Sequence, residues 1–126
     1  MASAIPTGLT HEMMATVTED MSPPHLKGAA VLSTPAMISL MEQCALQAML
    51  PYLDPGETTV GTEVCVTHDA ALRVGQQVTI RARFQGVEGR RYVWEVEALG
   101  PDGRRIGGGT HKRAVVSLAR LGGQGS

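Results

Sequence analysis

A stretch from Thr34 to about Leu50 carries a helical pattern with almost no polar face, and no other feature restricts this chain so strongly. Ser33 or Thr34 can cap it, Pro35 falls in the first turn where a missing N–H costs nothing, and Pro51 ends it. Between them lie Ala36, Met37, Ile38, Leu40, Met41, Cys44, Ala45, Leu46, Ala48 and Met49. A helix apolar nearly all round must be wrapped by something, and roughly 16 residues are too few to span a bilayer. The wrapping has to come from the rest of the protein.

The rest reads as strand. Residues 10 to 18 alternate Met13, Ala15 and Val17 against Met14, Thr16 and Thr18, and Ser22-Pro23-Pro24 stops the run. Residues 25 to 33 form a connection without a pattern of their own. After Asp54-Pro55-Gly56-Glu57, the side chains of Val60, Thr62, Val64, Val66 and His68 are expected on one face, with Gly61, Glu63, Cys65, Thr67 and Asp69 on the other. Val78, Ile80, Ala82 and Phe84 repeat the alternation, as do Tyr92, Trp94, Val96 and Ala98. Glu88-Gly89 and Asp102-Gly103 have the chemistry of tight hairpin turns. The last strand, residues 106 to 118, opens on Gly107-Gly108-Gly109, which calls for a bulge or the close approach of another backbone. The first few residues and residues 122 to 126 are small and polar, and are expected to fray.

This order predicts an α+β chain, residues 1–126 forming one domain in which an antiparallel sheet of about five strands wraps one long central helix: the hotdog fold. One helix on one sheet leaves a sheet edge open, so pairing of two sheets edge to edge predicts a homodimer or a larger oligomer. A length of 126 residues suits one core, and with aromatics at 3% that core is aliphatic, helped by seven methionines. The net charge of -1, with no basic stripe, speaks against a nucleic-acid partner. Cys44 and Cys65 sit in apolar runs and match no metal spacing, which reads as buried, reduced thiols. With no membrane span and no signal-peptide pattern, a cytoplasmic protein is expected.

Candidate chemistry begins with Glu42, a carboxylate in the middle of the apolar helix. Desolvation there is costly unless the group is paired, hydrogen-bonded or protonated, so it is either a functional acid or a sign that this stripe meets solvent beside Gln43 and Gln47. His68 ends a strand on a core-facing side and can be a general base or a satisfied core histidine. Thr34 at the helix start is either a cap or a hydroxyl that meets substrate. Gly61 either relieves packing or offers a backbone N–H to an oxyanion, and Arg113 is either a solvated charge or a substrate contact. His11, His25 and His111 carry less, and the four histidines lack a metal-ligand spacing, so no metal is expected. Phosphate loops and serine-hydrolase elbows are absent from the sequence.

Several runs in one register carry a resemblance: Leu40-Met41-Glu42 with Cys44-Ala45, Pro51-Tyr52-Leu53-Asp54-Pro55-Gly56-Glu57, Gly61-Thr62, Val66-Thr67-His68, Val87-Glu88-Gly89-Arg90-Arg91, and Gly109-Thr110-His111-Lys112-Arg113-Ala114-Val115. Over roughly residues 30 to 118 the chain resembles the fluoroacetyl-CoA thioesterase-like family of hotdog acyl-CoA thioesterases. The resemblance implies a homodimer that hydrolyses an acyl-CoA thioester to free acid and CoA, with no cofactor beyond the CoA of the substrate. It carries the family's catalytic threonine, glutamate and histidine onto Thr34, Glu42 and His68, and its substrate-proximal glycine and arginine onto Gly61 and Arg113. The phenylalanine lid over the acyl group has no aromatic counterpart in residues 25 to 34, so a different short- or medium-chain acyl group is expected. Two rival readings share the fold: a non-catalytic acyl-CoA-binding protein, and an enoyl-thioester hydratase or dehydratase.

Overall fold

A computed structural model describes residues 4–26 and 29–124. Strands β1 (Thr10–Thr16), β2 (Glu57–His68), β3 (Gln77–Glu88), β4 (Arg91–Leu99) and β5 (Arg105–Ser117) form one antiparallel sheet in the order β1-β3-β4-β5-β2, with helix α1 (Thr34–Met49) packed on one face. This is the α+β hotdog arrangement that the pattern predicts. Met37, Leu40, Met41, Cys44, Ala45, Ala48 and Met49 of α1 are buried. They meet Val78, Ile80, Ala82 and Phe84 of β3 and Trp94, Val96 and Ala98 of β4, the faces that alternate in the sequence. Burying each large aliphatic side chain contributes about 1.5–3 kcal/mol.

The rest of the chain does not wrap α1 on every side, contrary to expectation. Pro35, Ser39, Gln43 and Gln47 are exposed and Ile38 and Leu46 only half-covered. A single sheet can cover only one side of a cylinder, and these four exposed positions recur every fourth residue, so they form the stripe turned away. Of the terminal residues expected to fray, 122 to 124 instead belong to helix α2 (Leu118–Gln124), which follows β5 directly. Residues 1–3, 125 and 126 lie outside the described residues.

β2 is an edge strand, and its alternation is broken. Gly61 pairs with Arg113 but Glu63 pairs with Lys112, leaving Thr62 as an extra residue. A bulge of this kind shifts the inward parity by one. Before it, Thr59 is buried and Gly61 lies against Glu42 of α1. After it, Val66 packs on the core and His68 meets Thr34. The single face expected to run from Val60 through Thr62 to His68 is therefore two half-faces joined at Thr62.

The glycines behave as their positions demand. A Cβ on Gly107 would collide with Thr67 O, and one on Gly109 with Cys65 O, so β5 approaches the β2 backbone too closely for side chains. Gly89 and Gly103 take φ of 61° and 80°, the left-handed values that tight hairpins require. Among the described residues no helix is long and apolar enough to cross a membrane.

Candidate active site

The first half of the site forms where α1 begins. Ser33, not Thr34, is the N-cap: its Oγ accepts the Ala36 N–H at 3.2 Å. Thr34 is thereby released from capping, and its Oγ1 lies 2.8 Å from His68 Nδ1 at the end of β2. The pair opens on a recess of about 360 Å³ whose walls include Pro23, Val31, Leu32, Ala70 and Ala71. An open groove of about 1070 Å³ continues from it, sharing Pro23, Val31 and Ala71. A hydroxyl held against an imidazole at the mouth of an aliphatic recess is the arrangement that activates an oxygen nucleophile.

The second half lies further along α1, at the β2 bulge. A Cβ on Gly61 would collide with Glu42 Oε2, so the absence of a side chain there is what admits the carboxylate. Arg113 Nη1 lies 3.8 Å from the same oxygen. The guanidinium is buried, at 5% exposure, and donates through Nε to Thr59 Oγ1 at 2.8 Å and through Nη2 to Thr59 O at 2.9 Å. His111 is buried beside it, with Nδ1 2.8 Å from Glu63 O and Nε2 3.0 Å from Arg113 Nη1. Burial pushes the His111 imidazole below its usual range; the hydrogen bond to the Glu63 carbonyl opposes this, Arg113 adds to it by a lesser effect, and Glu42 opposes it least. Burial likewise lowers Arg113, offset by Glu42.

Of the five residues singled out in the sequence, Thr34 joins His68 and Glu42 joins Gly61 and Arg113. The two groups stay apart within the chain, since the eight residues from Thr34 to Glu42 rise about 12 Å along a helix. Glu42 keeps 41% of its side chain exposed, so it sits at the border between the buried face and the polar stripe. Arg113 is not the solvated charge that a lone arginine suggests. Thr59 has no signal in the sequence, and His111, given little weight there, proves to be part of this group. The spacing of His111 and Arg113, two apart on one strand, does set both on the same face, and a cation buried there needs acceptors.

Other expectations change. Cys44 is buried and its thiol is pushed up to about 11 by desolvation, whereas Cys65 is exposed on the outer side of the edge strand; both are free. The rival hydratase reading would use an Asp-x-x-x-x-His spacing, which this chain offers only with exposed side chains, from Asp20 to His25, and Asp20 accepts a hydrogen bond from Thr18. Among the described residues no group of three His, Cys, Asp or Glu side chains could hold a metal ion.

A family profile for fluoroacetyl-CoA-specific thioesterases matches residues 9–119. The fluoroacetyl-CoA thioesterase of Streptantibioticus cattleyicolor is 46% identical over 101 residues, covering 79% of this chain and 71% of that protein. The solved structure of the fluoroacetyl-CoA thioesterase FlK superposes with a TM-score of 0.89 at 36% identity, covering 97% of this chain and 96% of that one. A thioesterase superfamily member from Thermus thermophilus follows at a TM-score of 0.87 and 28% identity, covering 96% of this chain and 90% of that one. Together with the sheet, the central helix and the paired threonine and histidine, these matches establish that the chain belongs to the fluoroacetyl-CoA-specific thioesterase family.

Proposed function

We propose that this protein hydrolyses short-chain acyl-CoA thioesters to the free acid and CoA, as a homodimer, without metal or added cofactor. The observation that carries this reading is the 2.8 Å contact between Thr34 Oγ1 and His68 Nδ1 at the aliphatic recess. His68 takes the Thr34 proton as Oγ1 attacks the thioester carbonyl, the C–S bond breaks, and the CoA thiolate leaves with the proton from His68. Glu42 then draws a proton from a water, whose oxygen attacks the Thr34 ester; the C–Oγ1 bond breaks, the acid leaves, and Glu42 passes the proton to Thr34 Oγ1, restoring both the hydroxyl and the carboxylate. Backbone N–H groups at Gly61 and the start of α1 stabilise the oxyanion. Arg113 acts on this chemistry through Glu42, since its donors are turned to Thr59, His111 and that carboxylate.

The separation of the two half-sites supports the dimer. β2 is a sheet edge, and an antiparallel pairing of two copies centred on Cys65, with Thr62 bulged out, would set Gly61 across from His68 of the partner subunit. Glu42 of one protomer would then face the Thr34–His68 pair of the other. The recess holds no aromatic side chain, which suits a small acyl group without a phenylalanine lid, and the adjoining groove suits the pantetheine arm. Two free cysteines fit a cytoplasmic setting.

Thiol release across acyl-CoA substrates of increasing chain length tests the reading. Turnover is expected to be highest for short chains and to fall at least about 100-fold in Glu42→Gln and in His68→Ala. Acyl-CoA affinity without thiol release would instead make the protein a binding module.

A further inference from the structure

His111 and Thr59 take no chemical step above, yet they enclose the buried Arg113 guanidinium beside it. The Glu63 carbonyl can only accept, so His111 Nδ1, 2.8 Å away, carries the proton. Nε2 is then left with its lone pair and accepts from Arg113 Nη1 at 3.0 Å. A second proton on this ring would set N–H against N–H and two cations in contact, both buried from solvent. Thr59 takes the Nε and Nη2 donors of the same guanidinium through its hydroxyl and its carbonyl. Three sides of the fork are thus held, and the remaining side of Nη1 looks toward Glu42 Oε2 at 3.8 Å.

We propose that His111 is a positioning residue for the thioesterase reaction: its neutral Nε2 fixes the Arg113 guanidinium in the one orientation from which it holds the Glu42 carboxylate over Gly61. Thr59 serves the same end from the opposite side of the guanidinium. This rests on Glu42 being the reacting carboxylate. The competing explanation is that His111 only ties β5 to the bulged β2 through the Glu63 carbonyl.

Two amides separate these roles. The side-chain amide of His111→Gln falls near the position of Nε2 and can accept from Arg113, but it gives up the bond to Glu63 O. The amide of His111→Asn falls near Nδ1 and keeps that bond, but it leaves Arg113 without its acceptor. The expected result is that His111→Gln keeps kcat for acyl-CoA hydrolysis within about threefold, while His111→Asn loses tenfold or more with KM nearly unchanged. In a Glu42→Gln background, single-turnover rates should show no further loss from His111→Asn, because the group it positions is already gone. The reverse order, with Asn active and Gln impaired, would overturn the proposal, as would a full additional loss in the Glu42→Gln background. If neither His111 variant folds, Thr59→Val decides: it removes the Nε acceptor at nearly constant shape, and an unchanged kcat would overturn the idea. Wild-type kcat in Glu42→Gln would instead overturn the role of Glu42 itself, whatever the His111 variants do.

Discussion

Glu42 and Gly61 share one volume: the carboxylate of α1 occupies the space that a side chain on β2 would need. The nearest other atom to that space is His111 Cε1, 3.1 Å from a Cβ built there. A helix residue and a strand residue 19 positions apart therefore act as a single fitted piece, and the bulge at Thr62 sets their meeting point.

Gly61→Ala should cost activity more than stability. Glu42 can swing toward the polar stripe of α1, so the fold accommodates the methyl group while the carboxylate leaves its place. A kcat reduction of about 10- to 100-fold is expected, from a displacement of roughly 1 Å. Steady-state thiol release and a melting curve on the same sample check it.

Ser33 and Thr34 are adjacent hydroxyl residues with separable roles. Ser33→Ala removes the cap of α1 and should destabilise the protein by about 1 kcal/mol, a shift of roughly 3–6 °C in Tm, with kcat largely kept. Thr34→Ala should leave Tm nearly unchanged and lower kcat by about 100-fold or more. Equal Tm losses in the two variants would show that Thr34 caps after all.

Stability should fall with acidity through His111. Burial holds its folded pKa below the ordinary 6.5, so below that pH the unfolded chain binds a proton that the native ring refuses. Each step down from about pH 6.5 toward the folded pKa then favours the unfolded state. Urea midpoints at pH 7.5, 6.5 and 5.5 should decline in the wild type, and decline less in His111→Gln. The difference between the two isolates this residue from carboxylates that titrate lower.

The two thiols should differ sharply in reactivity. Cys44 donates toward His11 O and Ile80 O at 3.4 and 3.6 Å and is pushed up to about 11, whereas Cys65 is exposed. A disulfide-exchange reagent should titrate one thiol rapidly in the native protein and two after unfolding. Fast reaction of both would mean that α1 is not packed as described.

The amino-acid sequence by itself determined the architecture. Period-two runs in β3 and β4, positive-φ glycines at the hairpins and one apolar segment bounded by Pro35 and Pro51 are local properties, and local chemistry is enough to write them. It also marked Thr34, Glu42 and His68, because unlike residues stand out in a regular pattern and because the family register runs through them. It could not reveal which hydroxyl caps α1, since Ser33 and Thr34 suit the cap alike and only the placement of His68 gives Thr34 other work. Nor could it reveal the parity change at Thr62. A bulge is a mismatch between two paired strands, and strict alternation along β2 alone sends Gly61 and His68 to opposite faces. Tertiary structure decided that both face α1, that Arg113 is enclosed, and that His111 stands beside it, because each of these depends on what lies across from a residue and not on what lies next to it.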